Sequence, residues 1–239
     1  MEKIIYALWK DPAQSREAFH DNLKKAVSDK LLKAGARGLR LNLPDATVEP
    51  AAPLKQINTL PTYDAVVQLW VKVSHGEFRK PFDDILKAAC QRMQSWLVLE
   101  SEVIPNEKYP VKEGERTYGW SQVVFLTKPD RLTHEAWRDI WQGSHSRIAI
   151  DVQANFLYTQ NLVVRPLAYG SAPLAAIVEE CFLPEGMTSP DAFFGGGGDP
   201  KELAYREKAM ADSCARFIDF DKLDVVPTSQ FEMKIPTQR

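Results

Sequence analysis

Two periodicities alternate along the chain. Runs such as IYALW (5–9), YDAVVQLWV (63–71) and LAAIVEECF (174–182) are short, rich in β-branched and aromatic residues, and predict strands. Other stretches carry apolar residues at a helical spacing. Trp137, Ile140, Trp141 and Ile148 mark one such stripe, which also passes through Ser144 and His145. Phe82, Ile85, Ala89, Met93 and Trp96 mark a second helix. Leu203, Met210, Cys214 and Phe217 mark a third, with Asp199 as its predicted N-cap and Pro200 at its first position. Strand starts at EVIPN (102–106) and DVVPT (224–228) follow the last two.

The order of elements repeats. Placing Ile5 on Val123, an offset of 118 residues, sets IYALWKDPAQSREAFHDNL over VVFLTKPDRLTHEAWRDIW without a gap. The register continues through Ser28 and Ser146, Ala36 and Ala154, and Leu39 and Leu157. Each half reads β-α-β-β-α-β, the ferredoxin-like unit. The expected organisation is a first repeat over 1–104, a charged, turn-rich linker over 105–119 and a second repeat over 120–239. Strands apolar on both sides need a cover beyond their own helices. The predicted fold is therefore α+β: two ferredoxin-like repeats packed sheet-to-sheet as an intrachain dimeric α/β barrel.

Composition narrows the function classes. The 239 residues are 44% hydrophobic and 26% charged, with a net charge of −2 and both signs interspersed. That is no electrostatic footprint for nucleic acid or an anionic membrane. The opening MEKIIYALWKDP has too short an apolar run for a signal peptide, and no window approaches a membrane span. Cys90, Cys181 and Cys214 are odd in number, widely spaced and without a CxxC, which fits a reducing cytoplasm. No nucleotide, flavin, haem or metal signature is present, so no cofactor is expected. GGGGDP (195–200) lacks the lysine and hydroxyl of a phosphate loop and reads as a flexible connection, or a lid.

With the halves aligned, the second resembles the EthD family of the dimeric α+β barrel superfamily. The likeness lies in FLTKPDRLTHEAWRDIWQGSHSRI (125–148), FLYTQN (156–161), VEECF (178–182) and ADSCARFID (211–219). It implies a pocket in the second half, with Trp141 and His145 from the first helix, and Tyr158, Gln160 and Asn161 from the next strand. Glu179 to Phe182 would follow, then Phe217 and Asp219 at the end of the last helix. The superfamily so implied includes cofactor-free isomerases, polyketide cyclases, dehydratases, decarboxylases and oxygenases, often acting on hydrophobic phenolic compounds. In the first half Val27, Leu23 and Gln68 stand where His145, Trp141 and Glu179 would be, so that repeat is expected to be structural.

His145 is the residue to explain. The repeat places Val27 at the same point, so folding does not require an imidazole there. One reading is a core histidine bonded to a carbonyl; the other is a proton-transfer group in a cavity. A metal site is disfavoured, because His134 lies eleven residues earlier, about 16 Å along a helix. His20 and His75 are expected to be solvated. On the catalytic reading His145, Tyr158 and Glu179 act, while Trp141, Gln160, Asn161, Phe182 and Phe217 bind substrate. The expected activity is a cofactor-independent lyase or isomerase on a bulky aromatic compound. The alternatives are a cofactor-free oxygenase and a non-catalytic small-molecule-binding protein. The fused halves leave open whether two chains pair as a homodimer.

Overall fold

The structure is a computed structural model that describes residues 1–58 and 62–236. Strands β1 (Glu2–Trp9), β2 (Gly38–Leu43), β3 (Ala65–Val71) and β4 (Arg92–Ile104) come from the first half. The second supplies β6 (Trp120–Leu126), β7 (Leu157–Pro166), β8 (Ala176–Phe182) and β9 (Leu223–Lys234). Between them β5, only Glu115–Arg116, adds to β9. The sheet runs β2-β3-β1-β4-β7-β8-β6-β9, and β9 pairs back onto β2. All of these pairings are antiparallel.

This overturns the expectation of two ferredoxin-like repeats packed sheet-to-sheet. The halves meet edge to edge, through β4–β7 and β2–β9, and close one eight-stranded antiparallel β-barrel. The reason lies in the edges. Two stacked sheets would leave four rows of unpaired N–H and C=O groups, and closure pairs them all. The strands are apolar on both sides because one side faces the lumen and the other faces helices. The region 105–119 contributes β5 and then Gly119, whose φ of 75° lets the chain turn tightly into β6. A Cβ there would collide with the Phe182 carbonyl.

Outside the first half lie α1 (Arg16–Asn22), α2 (Ser28–Lys33) and α3 (Gly76–Lys87). Outside the second lie α4 (His134–Arg138), α5 (Ser146–Val152), the short α6 (Pro190–Phe194) and α7 (Pro200–Ala215). Asp199 caps α7 through the Lys201 N–H, as its sequence predicts. The predicted helix over Phe82–Trp96 instead ends at Lys87, and Met93 and Trp96 belong to β4. Trp96 points into the lumen with Ile5, Val66, Phe125, Ile177 and Val226.

The remainder of the lumen is charged. Arg40 bridges two carboxylates, Glu179 through Nη1 (2.7 Å) and Glu232 through Nε. Gln68, Gln230 and Asn42 donate further bonds to Glu179. Burial alone would raise the Glu179 carboxyl, but Arg40 and these amides hold it below the usual range. Burial raises the Glu232 carboxyl. Removing the shared cation strands two buried acids. Arg40→Met should therefore lower stability by about 3–5 kcal/mol in urea unfolding at pH 7. Adding Glu179→Gln and Glu232→Gln should restore most of it. A change within about 1 kcal/mol for Arg40→Met alone would contradict this reading.

Candidate functional site

The helix after β6 carries a wide, π-helical turn over Asp139–His145 between α4 and α5, and the first half has its counterpart over Leu23–Val27. The 118-residue offset reappears here as geometry. The Ser28 N–H reaches back five residues to the Leu23 carbonyl, and the Ser146 N–H to that of Trp141. Each serine hydroxyl bonds the same carbonyl as its own N–H. The aligned inward positions are Phe19, Leu23, Val27 and Leu31 in one half and Trp137, Trp141, His145 and Ala149 in the other. Such turns recur at functional sites because the extra residue re-aims a side chain. The equivalence lapses by the next strand, where Leu39 faces helices and Leu157 packs with Cys181.

Beside His145 lies a cavity of about 720 Å³ between the outer barrel face and the helices. Strand pairing lays out its floor in rows. Tyr158, Glu180 and Gln122 sit side by side across β7, β8 and β6, and Val178, Val124 and Val225 form the next row. Trp141, His145, Met210, Cys214 and Phe217 close one side, and Phe193 and Phe194 another. The first half reaches over with Pro50, Pro53 and Leu54. The size and the apolar walls are those of a small-molecule site.

Polar groups interrupt these walls, among them His145, Glu180, Gln122 and Tyr158. His145 accepts or donates at Nδ1 to Ser213 Oγ (2.9 Å) and packs on the Phe217 ring at 4.6 Å. Burial, helped by the nearby Arg216 charge, brings its pKa down to about 4. Glu180 takes one amide donor on each oxygen, Gln122 Nε2 at 2.7 Å and Asn155 Nδ2 at 2.9 Å. Burial nevertheless raises its pKa. Burial and then the Glu180 charge raise that of Tyr158, against hydrogen bonds that include Gln160 Nε2 at 2.7 Å. Cys214 is pushed up to about 12 by burial, far from a reactive thiolate.

The predicted residues divide. Trp141, His145, Tyr158 and Phe217 converge on the cavity. Gln160 stands behind it, joining Tyr158 to Ser146. Glu179 and Asn161 lie on the lumen side, Glu179 in the Arg40 network and Asn161 bonded to the Ile177 carbonyl. Phe182 stacks between Trp120 and Phe193 next to the cavity. Asp219 pairs with Arg131. Contrary to expectation, His20 is buried, its Nε2 at 2.9 Å from the Asp64 carbonyl. Glu180 and Gln122 were not foreseen. The available signal was the Glu-Glu pair inside a strand buried on both sides, where alternation sends one carboxylate each way. Among the described residues no cluster of His, Cys, Asp and Glu could hold a metal ion, and no helix is long and apolar enough to cross a membrane.

The EthD domain model matches residues 129–221, which hold Trp141, His145, Tyr158, Glu180 and Phe217. That segment of the chain is similar to an EthD domain. Its cavity borrows β6 and the Pro50–Leu54 wall from outside the matched segment. No curated protein matches the chain in sequence. Among solved structures, an anthrone oxidase-like protein is similar over 99% of this chain and 94% of its own, with a TM-score of 0.56 and 8% identity. A candidate monooxygenase from Lactobacillus acidophilus NCFM covers 97% and 96%, at 0.49 and 6%. At such identities the likeness is one of fold.

The low pKa of His145 sets a pH dependence. The unfolded imidazole binds a proton below about pH 6.5, whereas the folded one stays neutral until about 4. This contribution to stability is complete above pH 6.5 and is lost as pH falls toward 4, by about 3 kcal/mol in all. His20, also lowered by burial, acts in the same direction. Urea unfolding of the wild type and His145→Gln between pH 4 and 7 should therefore give curves that converge on acidification. Parallel curves would show that His145 titrates normally.

Proposed function

We propose that the EthD half binds a hydrophobic, multi-ring aromatic compound with an acidic C–H or O–H next to an oxygen. In this reading Glu180 removes that proton, and the resulting electron-rich anion reacts with dioxygen. The observation that carries it is Glu180 itself. It is a buried carboxylate held by two amides on the floor of an apolar cavity, and burial makes it a stronger base than an ordinary glutamate. His145, weakened as a base by the same burial, suits a neutral role beside it.

The chemistry balances without a further reagent. A ring methylene gives its proton to Glu180, and the carbanion adds dioxygen to form a peroxide. Return of the proton and loss of water then leave a carbonyl, so one methylene and one dioxygen become one carbonyl and one water. Similarity to an anthrone oxidase-like protein supports oxygenation over the lyase or isomerase chemistry that begins with the same deprotonation.

An oxygen electrode with product analysis tests this, using tricyclic aromatic ketones that bear an activated methylene. One dioxygen should disappear per product formed, and Glu180→Gln should slow turnover about 10²–10⁴-fold while still binding the ketone. Product without oxygen uptake would favour the lyase reading. Full activity in Glu180→Gln would remove the proposed base.

A further inference from the structure

Two residues outside the cavity form a hydrogen-bonded chain that ends on His145. Ser213, on α7, is 2% exposed and its hydroxyl has two neighbours among the described residues. One is His145 Nδ1 at 2.9 Å. The other is Arg216 Nη2, also at 2.9 Å, one turn further along the chain.

A proton inventory leaves a single arrangement in which the Ser213 hydroxyl both donates and accepts with these two neighbours. A guanidinium only donates, so Arg216 fills a lone pair of Ser213 Oγ. The hydroxyl has one hydrogen, and the remaining acceptor within reach is His145 Nδ1. If Nδ1 carried the proton instead, Ser213 would accept twice and its own buried hydrogen would have no partner, a loss of about 1–3 kcal/mol. Neutral imidazole holds one proton, so with Nδ1 accepting it must sit on Nε2. Nε2 has no partner among the described residues, and His145 lines the cavity.

We infer that Arg216 and Ser213 act as positioning residues that lock His145 as a hydrogen-bond donor into the cavity, selecting ligands that place an anionic or carbonyl oxygen there. This rests on the proposed function and divides its labour. Glu180 takes the proton, and His145 Nε2–H holds the oxygen on which the negative charge collects. A histidine so locked offers no lone pair to the ligand and cannot be the base. The Arg216 charge, delivered through the same chain, also opposes protonation of the ring.

The tautomer is directly measurable on the full chain with ¹⁵N-labelled histidine at pH 7, without ligand. Comparison with His145→Gln assigns its signals among the four histidines. The expected spectrum has a pyrrole-type Nε2 and a pyridine-type Nδ1. Ser213→Ala should move both nitrogens toward the average of a mixed population, and Ser213→Thr should restore the wild-type pattern. A wild-type Nδ1–H tautomer, or an unchanged spectrum in Ser213→Ala, overturns the inference. These outcomes need no substrate. A locked Nε2–H in a protein that binds no aromatic ketone would sink the proposed function alone, and the reverse tautomer in an active protein would sink only this inference.

Discussion

The unpaired edges of a β-sheet are the constraint around which this molecule is built. Each half ends in two strands whose outer backbone groups have no partner of their own. Pairing β4 with β7 and β2 with β9 satisfies all four edges at once. Closure creates an inside and an outside from strands that are apolar on both faces. It also makes the halves interdependent, since β9 lies between β6 and β2. The cavity inherits that dependence, because the Pro50–Leu54 segment of the first half supplies one of its walls.

Once the barrel is closed, buried charge has two places to go, and the chain treats them differently. In the lumen Glu179 meets Arg40 and three amides, and its charge is compensated. On the other side of the same strand Glu180 meets two amides and a cavity. The first arrangement fixes structure. The second leaves a carboxylate whose pKa burial raises, facing the cavity. Histidine shows the same contrast. At one place in the wide helical turn the first half buries Val27 in a hydrophobic core, while the second buries His145 against Phe217 and Ser213.

Much of the site was legible in the sequence because helices announce themselves by period. The stripe through Trp137, Trp141 and His145 fixed the inward face, and the EthD resemblance pointed to the segment that holds Tyr158 and Phe217. Strands were harder for a physical reason. In a barrel wall both faces are buried, so β8 shows no polar side, and nothing in AIVEECF tells which glutamate faces the cavity. Asn161 was drawn into the pocket by the family resemblance, although alternation from Tyr158 sends it to the opposite face, in the lumen. The stacked-sheet expectation failed because hydrophobicity says that a strand is covered on both sides, not by what. The helix drawn through Met93 and Trp96 failed because a half-buried strand such as β4 also offers apolar residues at intervals of three and four.

The roles proposed for Glu180 and His145 both require that an aromatic molecule bind in the cavity above the Tyr158–Glu180–Gln122 row. Calorimetric titration of a tricyclic aromatic ketone into the wild type and into Val178→Trp, which fills the floor from its centre, tests that most directly. Saturable one-site binding in the wild type, lost in a Val178→Trp protein that still unfolds cooperatively, is the predicted result. Equal binding by both proteins, or none by the wild type across a series of such ketones, would contradict it.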